Sequence, residues 1–144
     1  MSSYEGPYLL AALVCERVLE EKDGTKSAIR IIDRITRNAV GPNPPKVMEP
    51  FDYEMTLFIR LKSGNVRGVY QLRIVLVAPS GESPQPIPVT VNFEGEEDRG
   101  VDIVAGMRSH FTVTGIHWVE IFLGEEFLTR VPIRVVYIPQ IIQT

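Results

Sequence analysis

Seventeen valines, fourteen isoleucines and eight threonines stand in this chain against ten leucines and six alanines. Branching at Cβ restricts side-chain rotamers in a helix and suits a pleated surface. A helical chain of this size would lean on Leu and Ala instead. Eleven prolines cut the β-branched runs into short pieces. The combination predicts strands joined by punctuated loops, as in a β-sandwich or barrel.

Period-two alternation locates the clearest strands. Tyr53, Met55, Leu57, Ile59 and Leu61 alternate with Glu54, Thr56, Arg60 and Lys62. Tyr70, Leu72, Ile74 and Leu76 alternate with Gln71 and Arg73, and Ile87, Val89, Val91 and Phe93 alternate with Pro88, Thr90, Asn92 and Glu94. Such patterns mark half-buried strands with one wet face. Further on, Val101–Ala105 and Arg108–Val113 read as two short strands separated by Gly106. Ile116–Leu123 and Phe127–Ile138 read as a hairpin across Gly124-Glu125, with Pro132 at an edge or bulge and Pro139 as a stop. The first forty residues fit either two amphipathic helices or a strand hairpin across Asp23-Gly24. The β-branched run Ile29–Thr36 favours the hairpin. Gly41–Lys46 and the proline-rich Pro79–Pro88 are loops. These segments predict an all-β fold of about eight or nine strands in a single domain over residues 1–144, most economically two packed antiparallel sheets.

The length of 144 residues suffices for a self-supporting core. One cysteine excludes an internal disulfide framework and any multi-cysteine zinc site. A formal charge of −3 argues against a dedicated nucleic-acid binder, which needs a basic face. The apolar run Tyr8–Cys15 has no Lys or Arg before it and carries bulky Val14 where a lipoprotein signal needs a small residue. It is also far short of the roughly 20 residues that span a bilayer. We read it as mature structure and expect a cytoplasmic protein without a membrane role.

The segment Leu10–Ile35 places a hydrophobic-Cys-acidic strand, a charged stretch, a Gly-centred turn and an Ile-rich strand in succession. It resembles the opening of an uncharacterised family of small bacterial β-sandwich proteins. The resemblance implies a sandwich and no assigned function. Here Glu16 follows Cys15 where the pattern has Asp, and Val14 stands where it has an aromatic residue. Gly115–Gly124 followed by Leu128–Val135 is similar to the closing hairpin of many immunoglobulin-like domains, with His117 at their aromatic position. The expected fold is therefore an immunoglobulin-like antiparallel β-sandwich.

Chemistry-bearing residues are sparse. His110 and His117 flank Gly115 and are expected on different strands, which argues against a metal pair. Ser109 and His110 are neighbours on a strand, so they point to opposite faces and cannot serve each other as nucleophile and base. Cys15 reads as a buried, inert thiol, with a Cys–His pair with His110 or His117 as the rival reading. The acidic loop Glu94–Gly100, with Asp102, contains Arg99 and reads as a solvated hairpin tip rather than a calcium site. Arg30, Arg34 and Arg37 read as one wet strand face without aromatic interleaving. No phosphate-binding or dinucleotide motif is present. We expect no metal, no cofactor and no catalytic residues.

These readings point to a non-enzymatic interaction or assembly module whose partner is a protein or a second copy. Ile116, Trp118 and Phe122 alternate with His117, Val119 and Ile121, so both faces of that strand are apolar and both need cover. Ile141 and Ile142 follow Pro139 in a tail expected to pack over that outer face or onto another subunit. The alternative is a small-molecule binder or small enzyme using Cys15 or a histidine in a cleft between loops.

Overall fold

In the computed structural model, which describes residues 5–143, nine strands form two sheets, and no helix occurs among those residues. The strands are β1 (Tyr8–Glu20), β2 (Lys26–Ile31), β3 (Arg34–Gly41), β4 (Phe51–Lys62), β5 (Arg67–Val77), β6 (Ile87–Glu94), β7 (Gly100–Phe111), β8 (Gly115–Leu123) and β9 (Glu126–Ile141). One sheet has the order β2-β1-β4-β7 and the other β3-β9-β8-β5-β6. The inward residues of the alternating runs meet between the sheets. Met55, Leu57, Ile59 and Leu61 of β4 share one apolar cluster with Leu72 and Ile74 of β5, Val91 and Phe93 of β6, and Val119 and Ile121 of β8.

The strand hairpin across Asp23-Gly24 is present. Gly24 takes φ +89°, and the Asp23 carboxylate accepts hydrogen bonds from the Thr25 amide and hydroxyl. The run Ile29–Thr36 is not one strand, however. Ile32 donates its amide to Val14 in the four-stranded sheet, whereas the Asp33 carbonyl accepts from Arg134 in the other. The chain thus changes sheets without reversing direction, and β3 arrives parallel to β9, the one parallel pair among the described strands.

The β1–β2 hairpin also leaves the plane of its sheet. Val14 and Cys15 are both buried and Glu16 and Arg17 both exposed, so the alternation slips. Arg30, opposite Glu16, takes φ +56°, a conformation uncommon outside glycine. Lys26 lies 3.7 Å from Asp102. Asp102 is in register with Arg60, and Arg60 with Ala11, nine positions before Lys26's own partner Glu20. In a flat sheet those nine positions would separate the charges by roughly 30 Å. The contact therefore requires the hairpin to fold back over the outer surface of its sheet. Phe58, which alternation places on that surface, is only 8% exposed.

Three further expectations change. Gly106 does not divide a strand: it sits opposite Thr56 in an unbroken β7, with open space where a Cβ would stand. Pro139 does not stop β9, which pairs with β3 as far as Ile141. The amides of Arg134 in β9 and of Ile142 just beyond its end, both even-numbered, donate to Asp33 and Gly41 on the β3 side. Odd-numbered Pro139 turns its missing donor to the other side, beyond the end of β8, whose ladder begins at Val135. Even-numbered Pro132 precedes the start of β3 opposite Arg134, so it costs no ladder bond either. Finally, Ile141 and Ile142 stay 69% and 50% exposed. They lie some nine residues along β9 from Pro132, the partner of Trp118, and so do not cover that side chain. Thr144 is outside the described residues.

Candidate functional site

The outer surface of the five-stranded sheet carries Ile116, Trp118 and Phe122 on β8, because His117, Val119, Ile121 and Leu123 take the inward positions. The expected cover for these side chains is supplied by arginines. The Arg130 guanidinium lies 3.9 Å from the Trp118 ring centroid and that of Arg73 4.6 Å from Phe122. Phe127 closes edge-to-face on Phe122 at 5.6 Å. Glu120 is the direct cross-strand neighbour of Arg130, yet the two form no ion pair: the arginine leans over the tryptophan instead. Arg34 and Arg134 stand side by side on β3 and β9. Among the described residues, none of Arg34, Arg73, Arg130 and Arg134 has a carboxylate within 4 Å. The Arg73 Nε is buried and has no hydrogen-bond partner.

Several cations on the four-stranded side and its loops are paired with carboxylates, although Arg17 on β1 is not. Arg60 grips Asp102 with two hydrogen bonds of 2.7 and 2.9 Å, and Lys26 joins them. This hydrogen bonding from Arg60, chiefly, holds the Asp102 carboxyl below the usual carboxylate range against the opposing effect of burial. Arg99 pairs with Glu94 and Glu96, so the acidic loop holds its own arginine, with Glu97 and Asp98 left in excess. No cluster of His, Cys, Asp and Glu among the described residues has the makings of a metal site. The three arginines Arg30, Arg34 and Arg37 do not share a face: Arg30 meets Glu16, Arg34 faces out on the other sheet, and Arg37 lies over the Phe51 ring.

The two histidines fall on different strands, but on the wall of one cleft. β6 pairs with β5 only as far as Ile74, while β5 runs on to Val77. The proline-rich loop after Ala78 does not fill the space left against β7. The result is a cleft of about 370 Å³ between Ile74, Leu76 and Ile87 on one side and Met107 to His110 on the other, with His117 also lining it. Ser109 is buried and His110 exposed, opposite orientations as their adjacency requires. The His110 Nδ1 lies 2.7 Å from Asp52, which also receives Arg108 at 3.3 Å. The hydrogen bond from His110, first, and that from Arg108 lower the Asp52 pKa. His117 is 3% exposed, its ring edge-to-face with Phe111 at 4.9 Å. Burial holds its pKa below the ordinary imidazole value. Cys15 is fully buried on β1 and does not line the cleft; burial pushes its thiol pKa up. A buried thiol of raised pKa is a poor nucleophile.

Sequence reasoning found Trp118, Phe122 and Ile116 but missed the arginines that dress them. The signal was present: Arg130 and Arg134 alternate with Val131, Ile133 and Val135, just as Arg73 alternates with Leu72 and Ile74. What was missing was the lateral order of the strands.

Fold and surface together define a two-sheet β-sandwich with one arginine-aromatic face. A family model matches residues 10–136, and the chain belongs to that family, DUF6941, a family of unknown function. No curated protein matches the sequence. Among the described residues, no helix is long and apolar enough to cross a membrane.

Proposed function

We propose that this protein is a non-enzymatic interaction module that docks an acidic protein segment on the outer face of its five-stranded sheet. The observation that carries the reading is the set of four arginines without carboxylate partners around Trp118 and Phe122, in a chain whose net charge is negative. Like charges placed directly opposite on neighbouring strands are destabilising, and Arg34 beside Arg134 is such a pair. An anionic ligand would relieve it. Arg134 and Arg130 are four residues apart on β9, about 13 Å along the strand, a span that suits an extended segment with several carboxylates. Stacking on the rings keeps the guanidinium planes oriented while leaving their N–H edges free to donate. The setting we propose is a bacterial cytoplasm, where a lone buried thiol stays reduced.

Trp118 is the only tryptophan and sits in the middle of this face, so its emission reports directly on occupancy. Titration with poly-glutamate should shift that emission, with affinity falling as salt is added. Arg134→Glu should weaken binding by about tenfold or more, whereas Arg108→Ala, on the opposite sheet, should leave it unchanged. Indifference of Trp118 to poly-glutamate, or equal binding by Arg134→Glu, would refute the reading. Tighter binding of single-stranded poly-uridylate would replace it with a nucleic-acid role. Concentration-dependent dimerisation that blocks the titration would make the occupant a second copy.

A further inference from the structure

The cleft beside β7 contains a polar atom that the fold leaves unused. His117 Nδ1 lies 3.2 Å from the Gly115 carbonyl oxygen, which can only accept. The proton of the neutral ring is therefore on Nδ1, and Nε2 is an acceptor. Among the described residues the ring's hydrogen bond is made by Nδ1, which leaves Nε2 for the cleft, and the residue as a whole is 3% exposed. The ring lines the cleft, so an acceptor there is placed to meet a donor that enters it.

We propose that this cleft binds a small, uncharged, largely apolar molecule bearing one hydroxyl or N–H donor, which His117 Nε2 accepts. The walls supply the apolar part of the recognition through Ile74, Leu76, Ile87 and Met107. The volume of about 370 Å³ lies within the range of small-molecule sites. The mouth supplies no charge for an anion: Asp52 already engages both His110 and Arg108, and Glu82 stands at the same opening. A bicyclic phenol or an indole has the required form. The site is independent of the arginine-aromatic face, because β8 points His117 inward and Trp118 outward.

The test compares β-naphthol with naphthalene, two probes that differ only by the donor, on the full chain. Calorimetry should give a single saturable site for β-naphthol and affinity weaker by about tenfold or more for naphthalene, the scale of one hydrogen bond of this kind. At saturation the His117 Nε2 resonance should move as an accepted hydrogen bond forms, while Nδ1 stays in place. His117→Phe should abolish the discrimination between the probes. Ile87→Trp, at the partly exposed rim, fills the cleft without touching the core and should abolish binding of both. Equal affinities for the two probes, an unmoved Nε2 resonance at saturation, or undiminished binding by Ile87→Trp would each overturn the proposal. Failure here leaves the poly-glutamate titration untouched, since that reads Trp118.

Discussion

The two outer surfaces of this sandwich use the same residue types in opposite ways. On the four-stranded sheet, Arg60 and Lys26 converge on Asp102, Arg108 and His110 on Asp52, and Phe58 is 8% exposed beneath the Arg60 guanidinium. On the five-stranded sheet, Arg73 and Arg130 lie on aromatic rings, and Arg34 and Arg134 face one another with no acid between them. On the first surface the chain supplies carboxylate partners for these cations. The second is dressed with charge that the chain does not neutralise. A cation with an internal partner contributes modestly to stability, whereas one without is available to something else. The difference teaches that arginine content alone does not mark a binding face; the pairing does.

The largest test of this contrast concerns the two aromatic positions. Phe58→Ala removes a ring that is only 8% exposed and should cost about 3–5 kcal/mol. Trp118→Ala, on the open face, should cost about 1–2 kcal/mol from its smaller buried area while eliminating poly-glutamate binding. Urea unfolding of the two variants measures this, and equal losses would mean that both surfaces are structural.

Next in size is the Asp102 cluster. Asp102→Asn should destabilise by about 1 kcal/mol near neutral pH, since the partly exposed pair is screened. The folded pKa of Asp102 is depressed, so its contribution is fully present above the unfolded value of about 3.9 and is lost as pH falls through the lower folded value. The stability gap between wild type and variant should therefore close in acid. His117 occupies a separate window. Its folded pKa is also depressed, so the unfolded chain binds the proton first. Stability is fully present above about pH 6.5 and declines below it by at most about 1.4 kcal/mol per pH unit. His117→Phe should flatten that part of the pH profile and leave the more acidic part in place. A wild-type curve flat between the two windows' upper bounds would contradict the burial of the neutral ring.

Removing the residues after Ile138 takes away ladder contacts to Ala39–Gly41 and two exposed isoleucines. The loss should be about 1 kcal/mol or less, seen as a small shift in thermal midpoint, with no change of mass in light scattering. Dissociation of an oligomer on truncation would instead make the tail a contact between copies. The smallest effect is expected for Arg134→Ala, within about 0.5 kcal/mol and on the stabilising side, because it relieves the like-charge pair with Arg34. A clear destabilisation would show that Arg134 has an internal role.

Alternation was the most legible layer. The inward positions of β4, β5 and β6 were readable from Tyr53–Leu61, Tyr70–Leu76 and Ile87–Phe93, because a strand's period of two prints the buried face directly on the chain. The Asp23-Gly24 and Gly124-Glu125 turns were legible for a similar local reason: each needs a residue comfortable at positive φ, and Gly24 and Gly124 provide it. Both Pro132 and Pro139 were legible as residues that cannot donate, but not as harmless. Their cost depends on which side of β9 the missing donor faces, and that follows from where β3 and β8 begin and end.

Lateral arrangement lay beyond the sequence altogether. Strand order decides that Arg130 from β9 and Arg73 from β5 meet the rings of β8, and no local pattern encodes which strands will be neighbours. The change of sheets between Ile32 and Asp33 is likewise invisible in a β-branched run, since both sides favour the same extended backbone. The cleft exists because β6 is shorter than the strand it covers, a mismatch between elements rather than a property of either one. Residue periodicity is a short-range quantity and is written in the chain. Pairing, register between distant strands and the spaces left between them are set by the global packing optimum, and only the assembled sandwich decides them.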